Sequence, residues 1–153
     1  VWQGLDKKAV RYSGQFEIDK PNTTISVKHI EQQGYPFFCG EMTVEGEIDV
    51  TGDNPVLELD MKGINAVKVK INGKEKTMLT DNRLDLGGFG IKGRTKIRLT
   101  IINNLRNLLG PHHINEGETY YTSPGEFYKE RCVWNKNREI DWNDGYCFVE
   151  MSI

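Results

Sequence analysis

Residues 67–74 have the sequence Val67-Lys68-Val69-Lys70-Ile71-Asn72-Gly73-Lys74. Apolar and charged side chains alternate as far as Ile71, which predicts a half-buried strand with one face on a core and the other in water. Asn72-Gly73 follows directly, and this dipeptide favours the positive φ angles of a tight hairpin. The stretch therefore predicts an antiparallel β-hairpin.

The same alternation recurs along the chain. Apolar residues share a parity at Met42, Val44, Ile48 and Val50, at Leu57, Leu59 and Met61, at Ile97, Leu99 and Ile101, and at Cys147, Val149, Met151 and Ile153. Further strands are expected at Val10–Ile18 and Thr24–Ile30, with turns at Asp53-Asn54-Pro55 and Gly87-Gly88. Many short strands separated by turns predict an all-β fold, an antiparallel β-sandwich of jelly-roll type. Val69, Leu99 and Ile101 are expected to be fully buried.

One helical turn interrupts this pattern at residues 103–111. An Asn can cap its start, and Gly110 followed by Pro111 is a common stop signal. Beyond it, from Pro111 to Gly145, the alternation fades and aromatic residues accumulate. A long segment without clean strands is typical of a functional loop or of one that packs against something else.

Three stretches carry a resemblance to a known family: Gly34–Thr43, then Val67–Lys74 with Leu84-Asp85-Leu86 and Gly93–Thr100, and finally Leu105–His113. Over residues 34–153 the chain resembles the galactose-binding-like jelly-roll domains of β-galactosidase-type glycoside hydrolases. The run Arg106-Asn107-Leu108-Leu109-Gly110-Pro111-His112-His113 is similar to the carboxy-terminal accessory module of large bacterial glycosidases. One departure is Gly93-Arg94-Thr95, where such domains usually have Gly-Glu-Asn or Gly-Lys-Asn.

The resemblance implies a non-catalytic accessory domain at residues 31–153. From chain position and domain size, residues 1–30 are expected to form first strands or the tail of a preceding domain. The expected partner is the catalytic domain of a parent glycoside hydrolase, whose catalytic carboxylates lie in a separate barrel domain. Because residue 1 is Val, we expect either a processed product or a fragment of a longer chain. A rival interpretation is a free-standing carbohydrate-recognition or adhesion module with no attached enzyme.

Composition excludes other classes of protein. Among the 153 residues, no apolar run approaches the ~20 residues needed to span a bilayer. A net charge of −2 provides no basic field for nucleic acid, so neither a membrane nor nucleic acid is an expected partner. No cofactor is expected. A structural calcium ion is compatible with jelly-roll modules of this kind, but the scattered Asp and Asn residues assign no ligands.

No constellation of residues predicts catalysis or a metal site. Glycosidases need two carboxylates across a sugar cleft, and Glu116, Glu118, Glu126 and Glu130 are close in sequence. With 22 acidic residues in the chain such proximity arises readily, so we expect solvated loop charges. His112 and His113 are adjacent, and neighbouring side chains of an extended segment point to opposite sides, which disfavours a shared ion. Cys39 is expected to be a small buried hydrophobe.

Two groups of residues are candidates for binding. Trp134 and Trp142, with Asn135 and Arg138, combine rings that stack on the C–H face of a sugar with groups that bond its hydroxyls. The alternative is that these rings are buried by packing, as Trp usually is.

The second group, Arg106, Asn107, His112 and His113, surrounds the helical turn. It is expected either to dock on a neighbouring domain or to lock residues 111–145 onto the sandwich. Lys68, Lys70, Lys74 and Lys76 are expected to form one solubilising strand face.

Overall fold

The structure, a computed structural model, describes residues 23–79, 81–115, 122–132, 134 and 137–153. They belong to two compact units. The sheet unit comprises Cys39–Asn104 and Met151–Ile153, and the loop unit comprises residues 23–38 and Leu105–Glu150. The strand expected at Val10–Ile18 lies outside the described residues, and the expected boundary at residue 30 stays a prediction.

The described part of the sheet unit contains six strands: β1 (Gly40–Val50), β2 (Val56–Glu58), β3 (Ala66–Ile71), β4 (Lys74–Met78), β5 (Arg83–Asp85) and β6 (Gly93–Asn103). β1, β6, β3 and β4 form a four-stranded sheet in that order, and β2 pairs with β5. All pairings are antiparallel. The predicted all-β class is confirmed.

The hairpin predicted at residues 67–74 joins β3 to β4. Asn72 and Gly73 have φ angles of 49° and 78°, which a two-residue turn between twisted strands requires. The flanking residues Ile71 and Lys74 lie directly opposite each other. The hairpin prediction is therefore confirmed in both position and turn.

The predicted strand parity places the core correctly. Val67, Val69 and Ile101 are completely buried, and Leu99 is 9% exposed. Leu99 lies opposite Val44 on one neighbouring strand and opposite Val69 on the other. Because side chains alternate between the faces of a sheet, these residues share one apolar face.

The opposite face of the four-stranded sheet carries ordered charges. β1 contributes carboxylates and β6 contributes cations, and the register places Glu45 opposite Arg98. The Arg98 Nε atom donates to Glu45 Oε1 at 2.7 Å, and Arg94 pairs in the same way with Glu47. Each exposed pair stabilises the sheet by about 0–1 kcal/mol.

The lysines expected to form one face lie on two. Lys68 is opposite Thr77, whereas Lys76 is opposite Val69 and so lies on the core side of the edge strand β4. There the Lys76 Nζ atom is 5.5 Å from the centroid of the Phe89 ring, and Lys74 donates to the Gly88 carbonyl at 2.9 Å. The single-row prediction was wrong because the hairpin puts Lys74 on the same side as Ile71. Both lysines are exposed on this edge strand and still protect it from pairing with another chain.

The prediction of a strand at Thr24–Ile30 is wrong. Within the loop unit this segment bends and leads into a 3₁₀ turn at Ile30–Gln33. The Gln33 side chain explains the difference, because its Nε2 donates to the carbonyls of Ser26 and Lys28 while its Oε1 accepts from the Ser26 amide at 2.7 Å. A side chain thus supplies the bonds that a strand would take from a ladder.

The regular strand expected at Cys147–Ile153 is also wrong. Only an isolated antiparallel bridge joins Ser152 to Lys62 among the described residues. The Val149 peptide groups bond instead to the side chain of Asn107. A side-chain amide therefore replaces the neighbouring strand at this point.

The helical turn expected at residues 103–111 is confirmed as α1 (Arg106–Leu109). Its cap differs, because Leu105 is the N-cap residue and no side chain caps the turn. Asn103 lies in β6, where its Oδ1 accepts from the Asn104 amide at 2.8 Å. Gly110 ends the helix as predicted, donating to the Arg106 carbonyl at a φ of 86°.

Candidate functional site

Asn107 ties α1 to a distant part of the loop unit. Its side chain is 2% exposed. The Nδ2 atom donates to the Val149 carbonyl, and Oδ1 accepts from the Val149 amide, each at 2.9 Å. The primary amide therefore bonds a backbone segment as another strand would.

Arg106 makes a more local contact. Its Nη1 atom donates to the carbonyl of Pro111, the first residue of the 111–145 segment. A bond from Arg106 to a carbonyl of residues 111–145 is what we expect if the turn locks that segment in place. This bond, however, joins residues only five apart. Whether this turn also docks on another domain stays a prediction.

His112 lies in a cluster of aromatic rings within the loop unit. Its ring centroid is 5.9 Å from that of Phe37, 5.0 Å from that of Tyr146 and 5.9 Å from that of Phe148. The Nε2 atom is 2.9 Å from the Asn107 carbonyl, so Nε2 carries a proton and donates it. Burial lowers the pKa of His112 and the nearby Arg106 guanidinium lowers it further, against the opposing effect of this hydrogen bond.

Acidification is expected to destabilise the protein through His112. Its pKa lies below the ordinary value of about 6.5 that applies in the unfolded chain, so the unfolded chain binds more protons once the pH falls below 6.5. This contribution to stability is therefore complete above pH 6.5 and is lost as the pH falls through the folded-state pKa. Urea unfolding between pH 8 and pH 5 measures it. His112→Phe keeps a ring and cannot titrate, so an undiminished pH dependence in that variant would exclude His112 as the source.

His113 joins the start of the 111–145 segment to its end. Its Nδ1 atom is 2.9 Å from the Asn143 carbonyl and 3.0 Å from the Gly145 carbonyl, so Nδ1 carries a proton. The amide of Asn143 donates back to the His113 carbonyl at 2.7 Å, and that of Cys147 to the His112 carbonyl at 2.6 Å. Both histidines therefore bond backbone within the loop unit.

Trp142 is half-buried and already has partners. Its ring stacks on His113 with 4.6 Å between centroids and 20° between planes. The indole Nε1 donates to Asp144 Oδ1 at 3.1 Å, and the Lys129 ammonium donates to the same oxygen at 3.2 Å. The bond from Lys129, and next that from Trp142, lower the pKa of the Asp144 carboxyl. One face and the polar edge of this indole are thus occupied by the protein.

Trp134 is placed differently, because its side chain is 67% exposed. It forms an isolated antiparallel bridge with Ile140, which is 42% exposed. Residues directly opposite in such a bridge point to the same side, with Cβ atoms about 4.5–5.5 Å apart. The two side chains therefore form one exposed apolar area, called here the Trp134–Ile140 surface.

Polar residues separate Trp134 from Ile140 in the sequence. Arg138 is exposed there in a left-handed conformation, with φ of 62°. Asn135 lies outside the described residues. The contribution of Ile140 was missed from sequence, because a single bridge leaves no repeated pattern in the residues around it.

The candidate carboxylates differ in position. Glu126 is 6% exposed, and its Oε2 accepts from the Ser123 amide at 2.8 Å at the start of the 3₁₀ turn Pro124–Phe127. Glu130 is exposed in a second turn, Lys129–Arg131, while Glu116 and Glu118 lie outside the described residues. Expected to be a solvated loop charge, Glu126 is instead buried because its carboxylate completes a turn.

The thiols and other metal-ligating side chains of the described residues form no metal site. Within the described ranges, no three His, Cys, Asp or Glu side chains are grouped as a metal site. Cys132 is buried and its Sγ donates to the Asp141 carbonyl at 3.1 Å, whereas Cys39, expected to be buried, is only partly so. In the part of the chain that the structure covers, no helix is long and apolar enough to cross a membrane.

Comparison with protein-family models, curated proteins and solved structures finds no match to this chain.

Proposed function

We propose that this chain is a non-catalytic jelly-roll accessory domain of a glycoside hydrolase and that it binds carbohydrate weakly through the Trp134–Ile140 surface. The observation that carries the proposal is the 67% exposure of Trp134. An indole is usually buried, since its large apolar area is costly to leave in water. An exposed ring beside a second apolar side chain offers the flat area on which the C–H face of a sugar stacks.

The hydroxyl groups of a sugar need hydrogen-bond partners as well as a stacking ring. Arg138 is exposed between Trp134 and Ile140 in the sequence and can donate to ring hydroxyls. A shallow open surface with one stacking ring buries little of its ligand, so the expected affinity is millimolar, or ~4 kcal/mol. Such affinity suits an accessory domain that holds an enzyme near a polymer with many copies of the same sugar.

The two tryptophans provide a matched pair of variants. Trp134→Ala is expected to weaken saccharide binding at least tenfold, about 1.4 kcal/mol, because it removes the stacking ring. Trp142→Phe is expected to leave binding unchanged, because that ring packs on His113. Isothermal titration calorimetry with a panel of mono- and oligosaccharides measures both variants without relying on the substituted ring. Equal affinity for Trp134→Ala and the unaltered chain would refute the assignment of this surface.

Absence of catalysis is the second expectation. Glu126 accepts a backbone hydrogen bond in its turn and is buried, so it is poorly placed to protonate a glycosidic oxygen. The chain is therefore expected to hydrolyse none of a panel of nitrophenyl glycosides. Turnover that a single Glu→Gln substitution abolishes would contradict the accessory role.

The parent gene distinguishes the accessory domain from a free-standing adhesion module. Both would use the Trp134–Ile140 surface, so sugar binding alone does not separate them. An upstream region of barrel length with paired Glu residues supports the accessory role. A reading frame without such a region supports the free-standing module.

A further inference from the structure

The 11 residues of β1 form an edge of the four-stranded sheet. Among the described residues β1 pairs with β6 alone. Edge strands present unpaired N–H and C=O groups to which another strand can add, and proteins usually protect them with lysine, proline or a bulge. β1 contains neither lysine nor proline, whereas β4 at the other edge carries Lys74 and Lys76 on its core side. The two edges are therefore built differently.

The outward peptide groups of β1 belong to its four acidic residues and to Thr43. The amide of Asn65, just before β3, donates to the Ile102 carbonyl at 3.0 Å, so the Ile102 peptide groups face β3. The residue opposite Ile102 on β1 is Glu41. Because the Ile102 peptide groups face β3, those of Glu41 face away from β6. Since this direction alternates along a strand, the same holds for Thr43, Glu45, Glu47 and Asp49.

The four carboxylates among these side chains form an acidic row on the exposed face. β6 shows which kind of strand pairs with such a row, because its exposed face carries Arg94, Lys96 and Arg98 and its other face carries Ile97, Leu99 and Ile101. Glu45 and Glu47 bond to Arg98 and Arg94 across this pairing. A strand added on the outer side would meet the same carboxylates, which retain further acceptor positions.

We propose that the outer edge of β1 binds an extended peptide in which basic residues alternate with apolar ones. The added strand would bond to the outward peptide groups of Glu45 and Glu47, place its cations beside the acidic row and continue the apolar face with its other residues. A second copy of this chain is a poor occupant, because antiparallel pairing of two β1 strands in a continuous sheet would oppose carboxylate to carboxylate. This surface belongs to the sheet unit and does not depend on the Trp134–Ile140 surface.

The probe is a synthetic peptide with the sequence of residues 93–103 of this chain, which has the required alternation. Its control replaces the cations at positions 94, 96 and 98 by Glu. Amide hydrogen exchange of the intact protein is expected to show fast exchange at Glu45 and Glu47 without peptide and protection with the basic peptide, while β6 stays protected. Displacement of β6 by the peptide would instead expose the β6 amides, and would count against the proposal.

Charge dependence provides a second measurement. The Glu45→Gln, Glu47→Gln double variant is expected to bind the basic peptide about tenfold more weakly, since two exposed ion pairs with the peptide are lost. Rising salt concentration should weaken binding to the unaltered protein. Equal binding of the basic and acidic peptides, or amides at Glu45 and Glu47 that are already protected in the protein alone, would overturn the proposal.

Discussion

Replacing Leu99 by alanine is expected to lower the free energy of unfolding by about 2–5 kcal/mol. Leu99 lies on the central strand β6, opposite Val44 and Val69, with 9% of its surface exposed. Removing its isobutyl group takes away the transfer free energy of the buried carbons and leaves a cavity between three strands that can close only partly. Urea denaturation monitored by far-ultraviolet circular dichroism measures the change.

Lys96→Ala is the matched control on the same strand. Lys96 is exposed on the opposite face of β6, so its substitution should change stability by no more than about 0.5 kcal/mol. A loss below about 1 kcal/mol for Leu99→Ala, comparable to that of a surface substitution, would show that the assignment of the two sheet faces is wrong.

Asn107→Leu is expected to destabilise the protein by about 2–4 kcal/mol, although leucine is similar in size. The substitution removes both hydrogen bonds to Val149 and leaves a backbone donor and acceptor without their partner. Each polar group left unsatisfied away from water costs about 1–3 kcal/mol, which exceeds the gain from a more apolar side chain. Chemical denaturation is again the measurement.

Two further variants separate the hydrogen bonds from helix propensity. Asn107→Asp keeps the acceptor for the Val149 amide and loses the donor, so an intermediate loss is expected. Leu108→Ala alters the next residue of α1, which is 41% exposed, and should have a small effect. If Asn107→Leu proved no more harmful than Leu108→Ala, Asn107 would not be the link between α1 and residue 149.

The local sequence pattern predicted the sheet well, because strand parity and turn type are determined by consecutive residues. The parity of Val67, Val69 and Ile71 and the turn at Asn72-Gly73 are properties of a short stretch, and both are confirmed. The prediction that the lysines form one row was wrong, although the sequence contained the information to avoid it. A two-residue hairpin turn places Lys74 opposite Ile71 and therefore on the apolar side. The strands expected at Thr24–Ile30 and Cys147–Ile153 failed because the Gln33 and Asn107 side chains supply the backbone bonds.

The candidate site depends on contacts between residues that are far apart in the sequence, and local sequence patterns do not predict such contacts. Trp134 and Trp142 were equivalent candidates from sequence, but Trp142 packs on His113 while Trp134 is exposed. The first outcome requires a contact between residues far apart in sequence, and no periodicity encodes it. The exposure of Trp134 likewise follows from the direction of a bridge with Ile140 rather than from residue type.

The most direct test of the proposed function follows the indole N–H signals of the ¹⁵N-labelled protein by NMR during titration with a broad panel of saccharides. The Trp134 signal is expected to shift and to saturate at millimolar saccharide, while the Trp142 signal, whose N–H is bonded to Asp144, stays in place. A Trp134 signal that stays unchanged across the whole panel, or a shift of the Trp142 signal alone, would show that the Trp134–Ile140 surface does not bind saccharide.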